Sequence, residues 1–131
     1  DILGGLLEKG ETPEEAVKRE AAEELDDLRT GQPLKLKGHR VFKVYVDEWG
    51  TQQHIFWKEI DFDIQDICLK EGQRLVWLAE EDIPHTQFGF GFGVVIKEFF
   101  TEQRRSELRK TKNIRLLLLV RGIFSRIMLR Q

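Results

Sequence analysis

The sequence predicts an α+β fold in which helices cover both faces of a mixed β-sheet, as in an α/β/α sandwich. The prediction follows from the order of its segments: a capped helix near the start, strand-like runs in the middle and a second helical run after them. A chain of 131 residues can form one hydrophobic core, and 40% hydrophobic with 34% charged residues is typical of a globular domain. The single cysteine, Cys68, excludes an internal disulfide and indicates a reducing, cytoplasmic compartment.

The first helix is predicted to begin at a capping box. Thr12 is the expected N-cap, Pro13 takes the first helical position, and the Glu15 side chain can reach back to the cap. Apolar residues with a four-residue spacing then predict the face that packs on the core: Val17, Ala21 and Leu25.

Three carboxylates of this helix, Glu20, Glu23 and Glu24, fall at positions i, i+3 and i+4. At 3.6 residues per turn they lie within an arc of about 100°, at the rim of the apolar stripe. Like charges at this spacing repel by roughly a few tenths of a kcal/mol per pair, so the group suits either a solvated surface or a bound cation. Gly4 and Gly5 precede the helix in a loop where backbone can approach a ligand closely.

The middle of the chain predicts a β-hairpin. Residues 34–46 and 52–60 have strand character, and a turn signal lies between them at 47–50. In the first strand, odd-numbered residues from 41 to 45 are expected on one face and even-numbered residues from 42 to 46 on the other. The remaining expected elements are an extension at 62–64, a strand at 73–78, a helical turn at 80–84 that Pro84 ends, and a last helix within 88–108 that begins between 91 and 94.

Charge divides the chain into a predicted domain at residues 1–108 and a basic, apolar tail at 109–131. Residues 1–100 carry a net charge of −9 and residues 101–131 carry +7, which together give the overall −2. The tail is too short and too charged to span a bilayer, and its leucines do not form a clean amphipathic helix. It could pack on the domain, be disordered, or bind a membrane surface, a protein partner or nucleic acid.

The segment that begins at Gly5 resembles the Nudix box, G-x5-E-x7-R-E-U-x-E-E-x-G-U, in which U is a bulky aliphatic residue. The matching positions are Gly5, Glu11, Arg19, Glu20, Glu23 and Glu24. Three positions depart from the box: Ala21 is small, and Asp26 and Asp27 replace the closing Gly-U. Because that glycine usually ends the helix in a left-handed conformation, we expect a shifted helix end and a preserved metal site. The box starts at residue 5, although one or two strands usually precede it, so we expect an N-terminally short chain whose standalone activity is in doubt.

The resemblance implies a pyrophosphohydrolase that uses Mg²⁺ or Mn²⁺ to cleave the diphosphate of a nucleotide. It implies that Glu20, Glu23 and Glu24 bind metal together with the Gly4 carbonyl, and that Arg19 pairs with these carboxylates. It also implies a structural role for Glu11, which orients the loop or Arg19. The tetrapeptide Lys-Glu-Gly-Gln at residues 70–73 is similar to a segment of the 8-oxo-dGTP diphosphatase branch that places a further glutamate over the metals, here Glu71. Glu24 and Glu71 are therefore alternative general bases.

Substrate contacts are predicted from the segment before the last helix. In that branch an Asn near the helix start reads the base, and Gln87 is the candidate replacement here. Phe90 lies in a run of phenylalanines and glycines that could stack on a base or pack in the core. No clear nucleic-acid or membrane partner is predicted. Two other functions stay open: a non-catalytic Nudix-like binding or regulatory module, and a hydrolase of RNA ends that uses the basic tail.

Overall fold

The computed structural model describes residues 2–70, 74–107, 116–119 and 125–130; for Phe90, Glu107 and the last two segments it describes the backbone alone. Two α-helices and eight strands lie in these residues. The helices are α1 (Pro13–Glu24) and α2 (Phe92–Glu107). The strands are β1 (Leu25–Asp27), β2 (Gln32–Pro33), β3 (Arg40–Val46), β4 (Gln52–Glu59), β5 (Ile67–Leu69), β6 (Leu75–Leu78), β7 (Leu116–Leu119) and β8 (Ser125–Arg130).

Helix α1 begins as its capping box predicts. The Thr12 side chain accepts from the Glu15 N–H at 3.2 Å, and Glu15 Oε2 accepts from the Thr12 N–H at 2.9 Å. The helix ends at Glu24, and Leu25 is already extended, with φ −129° and ψ 133°. Asp26 and Asp27 therefore lie in β1, and neither residue forms a left-handed helix cap.

The strands form two sheets. A small antiparallel sheet has the order β2-β1-β5, and a five-stranded sheet has the order β3-β4-β8-β7-β6. In the larger sheet β4 and β8 run parallel, whereas the other neighbouring pairs are antiparallel. The predicted mixed sheet is therefore confirmed, as is the α+β class.

Strand β4 shows how helices cover both faces of this sheet. Its consecutive residues Ile55 and Phe56 are 0% and 1% exposed, and successive strand residues point to opposite faces. Phe56 belongs to a core with Val17 and Ala21 of α1. Ile55 belongs to a second core that α2 provides, formed by residues such as Phe92, Val95, Ile96, Phe99 and Phe100. The two cores confirm the predicted α/β/α sandwich.

The first strand of the hairpin differs from its prediction in two ways. It begins at Arg40 rather than at residue 34, because Gly38 adopts a φ of +69° and turns the chain before the strand. A register shift between Val41 and Lys43 also breaks the expected alternation. As a result Phe42 and Tyr45 both pack against the α2 core, although simple alternation places them on opposite faces.

Two further expectations are wrong. Residues 62–64 do not extend β4, because the Asp63 side chain accepts from the Ile64 N–H at 2.7 Å and caps a 3₁₀ helix at Ile64–Asp66. Pro84 does not end the acidic turn, since a 3₁₀ helix runs from Glu80 to His85 with Pro84 inside it. Helix α2 begins within the predicted interval, at Phe92.

The segment predicted as a tail contributes strands to the large sheet. Strand β8 pairs with β4 from His54–Ser125 to Glu59–Arg130, and β7 joins β8 to β6. The described parts of residues 109–131 thus lie at the centre of the sheet, so they pack on the domain. The boundary at residue 108 itself stays a prediction.

Candidate active site

Gly5 lies in the loop before α1, where it contacts the Glu20 side chain of that helix. A Cβ atom built on Gly5 would lie 2.1 Å from Oε1 of Glu20 and 2.3 Å from its Cδ, whereas real Cβ atoms essentially never approach closer than 3.0 Å. Only glycine therefore allows the Glu20 carboxylate to rest against this loop. Gly4 has a separate requirement, because its φ of 144° lies in the region that favours glycine.

Arg19 joins the loop to the helix through all five of its N–H donors. Its Nε and Nη2 donate to the two carboxylate oxygens of Glu11, at 2.8 and 3.0 Å. Nη2 also donates to the Leu6 carbonyl at 2.9 Å. Nη1 donates to Oε1 of Glu20 at 2.7 Å and to Oε2 of Glu23 at 3.1 Å. The guanidinium therefore fixes the loop, the start of the helix and two of its carboxylates relative to one another.

Glu11 contacts both the loop backbone and Arg19. Its Oε2 accepts from the Glu8 N–H at 2.8 Å in addition to its two bonds from Arg19. The Arg19 side chain, and after it the Glu8 backbone N–H, hold the pKa of the Glu11 carboxyl below its usual value. The bonds to Glu11 and Glu20 in turn raise the pKa of Arg19 despite its partial burial. Each group thus keeps its partner in the charged form.

A cavity of about 590 Å³ opens beside the carboxylate face of α1. This volume is within the range of small-molecule sites. The three glutamates predicted as metal ligands all line it, together with Arg19. The full lining among the described residues is Arg19, Glu20, Ala22, Glu23, Glu24, Pro33 and Lys70.

The donor atoms at this cavity suit a hard divalent cation, which prefers carboxylate and carbonyl oxygens. Arg19 engages one oxygen of Glu20 and one of Glu23. In the described part of the chain, no group of three or more His, Cys, Asp or Glu side chains is already arranged around an ion-sized space. Glu23 is 59% exposed, and an exposed i,i+4 ion pair such as Arg19–Glu23 contributes only about 0.3–0.5 kcal/mol. Glu23 can therefore leave Arg19 for a cation at little cost.

The other predicted site residues are distributed differently. Glu71 lies outside the described residues. Phe90 lies in a 3₁₀ turn at Gly89–Gly91, and its side chain is outside the described part of the structure. Gln87 is exposed and is not among the described residues that line the cavity. The structure therefore brings Arg19, Glu20, Glu23 and Glu24 together at the cavity. Neither residue predicted to contact the base, Gln87 or Phe90, is among the described residues that line it.

Lys70 lines the cavity, although no sequence motif predicts a role for it. Its Nζ donates to the Ala22 carbonyl at 2.7 Å and lies 3.1 Å from Oδ1 of Asp26. Its backbone N–H donates to the Glu24 carbonyl at 2.8 Å. Lys70 thus binds the C-terminal end of α1, where a cation is favoured by the helix dipole. The only signal in the sequence was its place before Glu71, and pairing across 48 residues has no local pattern.

In a comparison with protein families, the family model described as NUDIX domain matches residues 1–99. No curated protein and no solved structure matches the chain significantly. Within the described residues, no helix combines the length and the apolar character that crossing a membrane requires.

Proposed function

The chain belongs to the Nudix family, and on that premise we propose that it is a metal-dependent pyrophosphohydrolase that cleaves the diphosphate of a nucleotide. The substrate class is a nucleoside diphosphate linked to a further group, or a nucleoside triphosphate. The observation that carries the proposal is the contact between Gly5 and the Glu20 carboxylate, where no Cβ can fit. This contact sets one carboxylate against the loop, at a cavity large enough for a nucleotide.

Glu20, Glu23 and Glu24, with the Gly4 carbonyl, would hold Mg²⁺ or Mn²⁺. The chemistry that such an ion supplies is neutralisation of the diphosphate and a lower pKa for a water molecule. Arg19 keeps Glu20 in place, and Glu11 keeps Arg19 in place. These residues orient the ligand set and do not themselves react.

Hydrolysis needs a group that accepts a proton from the attacking water. In this proposal a carboxylate oxygen of Glu24 takes that proton while the water oxygen bonds to one phosphorus. The bond between that phosphorus and the bridging oxygen breaks, and the bridging oxygen leaves with the other phosphate. The products are a nucleoside monophosphate and either pyrophosphate or the phosphorylated second group. Glu71 remains the alternative base, outside the described residues.

The test is chromatographic detection of the cleaved nucleotide products from a panel of deoxynucleoside triphosphates, ADP-ribose, NADH, dinucleoside polyphosphates and capped RNA, with Mg²⁺ and with EDTA. We expect Mg²⁺-dependent hydrolysis of at least one substrate and its loss in EDTA. Glu23→Gln should lower kcat at least about 100-fold, since it removes the charge of one ligand. The fold should persist because the Glu23 side chain is 59% exposed.

Glu14→Gln is the matched control for this variant. Glu14 is an exposed residue of the same helix that does not line the cavity. The Glu14→Gln variant should hydrolyse the substrate at the wild-type rate. Full activity of Glu23→Gln would contradict the proposed role of this carboxylate.

A non-catalytic nucleotide-binding module is the second candidate, and one observation favours it. Arg19 bonds to both Glu20 and Glu23, and the described residues contain no ready-made cation cluster. Under this alternative, calorimetry detects nucleotide binding while no member of the panel is hydrolysed with Mg²⁺ or Mn²⁺. Hydrolysis confined to capped RNA would instead identify an enzyme that acts on RNA ends.

A further inference from the structure

The N–H donors of Arg19 are all engaged by the protein in this structure. A guanidinium has five N–H donors. Those of Arg19 go to Glu11 twice and to Leu6, Glu20 and Glu23 once each. While this network persists, no N–H of Arg19 is left for a phosphate oxygen. If Glu23 moves to a bound cation, one N–H of Nη1 is released, and the other four donors of Arg19 keep their protein partners.

Lys70 is the other cation among the described lining residues, and it retains a donor. An ammonium has three N–H donors. Within the described residues its partners are two, the Ala22 carbonyl and the Asp26 carboxylate. The side chain is 33% exposed, so solvent or a ligand can reach the third donor. The two contacts hold the ammonium at the end of α1, on the cavity that Glu20, Glu23 and Glu24 also line.

We propose that Lys70 is a phosphate-binding residue of this site and that Asp26 is its positioning residue. The inference rests on the proposed function, because the ligand it identifies is the diphosphate of that reaction. An ammonium N–H that donates to a non-bridging phosphate oxygen forms a charge-assisted bond and offsets repulsion from the neighbouring glutamates. The Nudix box has glycine at the position of Asp26, and glycine has no side chain that could contact Lys70. The contact between Asp26 and Lys70 is therefore not a feature of the box.

The experiment compares Lys70→Gln, Lys70→Arg and the control Lys97→Gln, an exposed lysine on α2 that does not line this cavity. Pyrophosphate binding in the presence of Mg²⁺ is measured by calorimetry, KM and kcat are measured on the best panel substrate, and Mn²⁺ binding is measured by electron paramagnetic resonance. Lys70→Gln should weaken pyrophosphate binding and raise KM by on the order of 10- to 100-fold, because it removes one hydrogen bond between charged groups. Lys70→Arg should recover most of the affinity, and Mn²⁺ binding should not change.

A merely structural role predicts another pattern. If Lys70 only stabilised the end of α1, Lys70→Gln would lower the melting temperature and leave pyrophosphate affinity at the wild-type value, which overturns the inference. Equal weakening by Lys97→Gln would also overturn it, since the effect would then be one of net charge. Should Lys70→Gln fail to fold, Asp26→Asn keeps the ammonium and its bond to Ala22. This variant should raise KM by a smaller factor, and an unchanged KM contradicts the inference.

These measurements separate the two proposals. If the wild-type protein hydrolyses no panel member, the proposed function fails, and the pyrophosphate titration still decides whether Lys70 binds phosphate. If the wild-type protein hydrolyses a nucleotide and Lys70→Gln matches it in KM and in pyrophosphate affinity, only the role of Lys70 is wrong.

Discussion

Replacement of Gly5 by alanine is expected to displace the Glu20 carboxylate and leave the rest of the domain folded. The added Cβ would start 2.1 Å from Oε1 of Glu20, and an ordinary contact begins at 3.4 Å, so the two groups must separate by about 1.3 Å. No positive φ is involved at Gly5, so the effect is steric rather than a matter of backbone strain.

The size of the effect follows from this displacement. A misplacement of about 1 Å in a reacting constellation can lower the rate about 100-fold, and we expect a loss of that size in kcat. The atoms that must move are all at the far end of the flexible Glu20 side chain, so the shift itself is cheap and the free energy of unfolding should fall by no more than about 1 kcal/mol, the upper value for an ion pair near the surface. The Glu20 bond to Arg19 Nη1 would be lost or lengthened by the same movement.

The assay is Mg²⁺-dependent hydrolysis of the best panel substrate, with urea unfolding measured on the same samples. Gly50→Ala is the control, because Gly50 has a φ of +79° in the hairpin turn and no atom lies within 4 Å of its added Cβ. Strain at Gly50 should lower stability by about 1 kcal/mol without lowering kcat. Wild-type kcat in Gly5→Ala would refute the reasoning, since the Glu20 carboxylate could then not depend on this contact.

Three further predictions concern stability. Because Arg19 lowers the pKa of Glu11, the stabilisation from this carboxylate is complete above the ordinary glutamate pKa of about 4.3 and is lost as the pH falls through the lower folded-state value. Glu11→Gln should therefore flatten the acid side of the stability profile in urea unfolding, and an unchanged slope would contradict this. Leu129→Pro removes a backbone donor from a strand paired on both sides, with Lys58 and with Leu117, and should cost roughly 2–4 kcal/mol in thermal unfolding. The control Leu129→Val keeps the N–H and should unfold near the wild-type temperature. Trp77→Phe removes the bond from Nε1 to Oδ1 of Asp63 at 2.8 Å and should lower the free energy of unfolding by about 1 kcal/mol, whereas wild-type stability would show that this bond contributes nothing.

Helix α1 and its neighbouring loop could be predicted because their determinants are local. The capping box, Pro13 and the stripe of Val17, Ala21 and Leu25 act within a few residues of one another. The link from Arg19 to Glu11 spans eight residues and follows from the fixed spacing of the box. The spacing of Glu20, Glu23 and Glu24 likewise predicts that they lie on one side of one helix, because it depends only on helix geometry.

Elements that depend on distant partners were predicted less well. Strand β3 starts late because of the conformation of Gly38, and its alternation is broken by a register shift that has no clear sequence signal. The strand character of residues 116–119 and 125–130 depends on β4 and β6, which lie more than 35 residues earlier in the chain. A short apolar run alone does not determine whether it forms a helix, a strand or a tail.

The sequence by itself determined the family, the helix that carries the proposed metal ligands and the carboxylates that line the cavity, because spacing along one helix fixes their relative positions. Only the tertiary structure decided that Gly5 and Glu20 are in contact, that Arg19 has all its donors occupied, and that Lys70 lies at the same cavity. It also decided that the C-terminal strands complete the centre of the sheet. The physical reason is that these contacts join segments that are distant in the sequence. Packing and strand pairing bring such segments together, and a local sequence pattern does not predict either one.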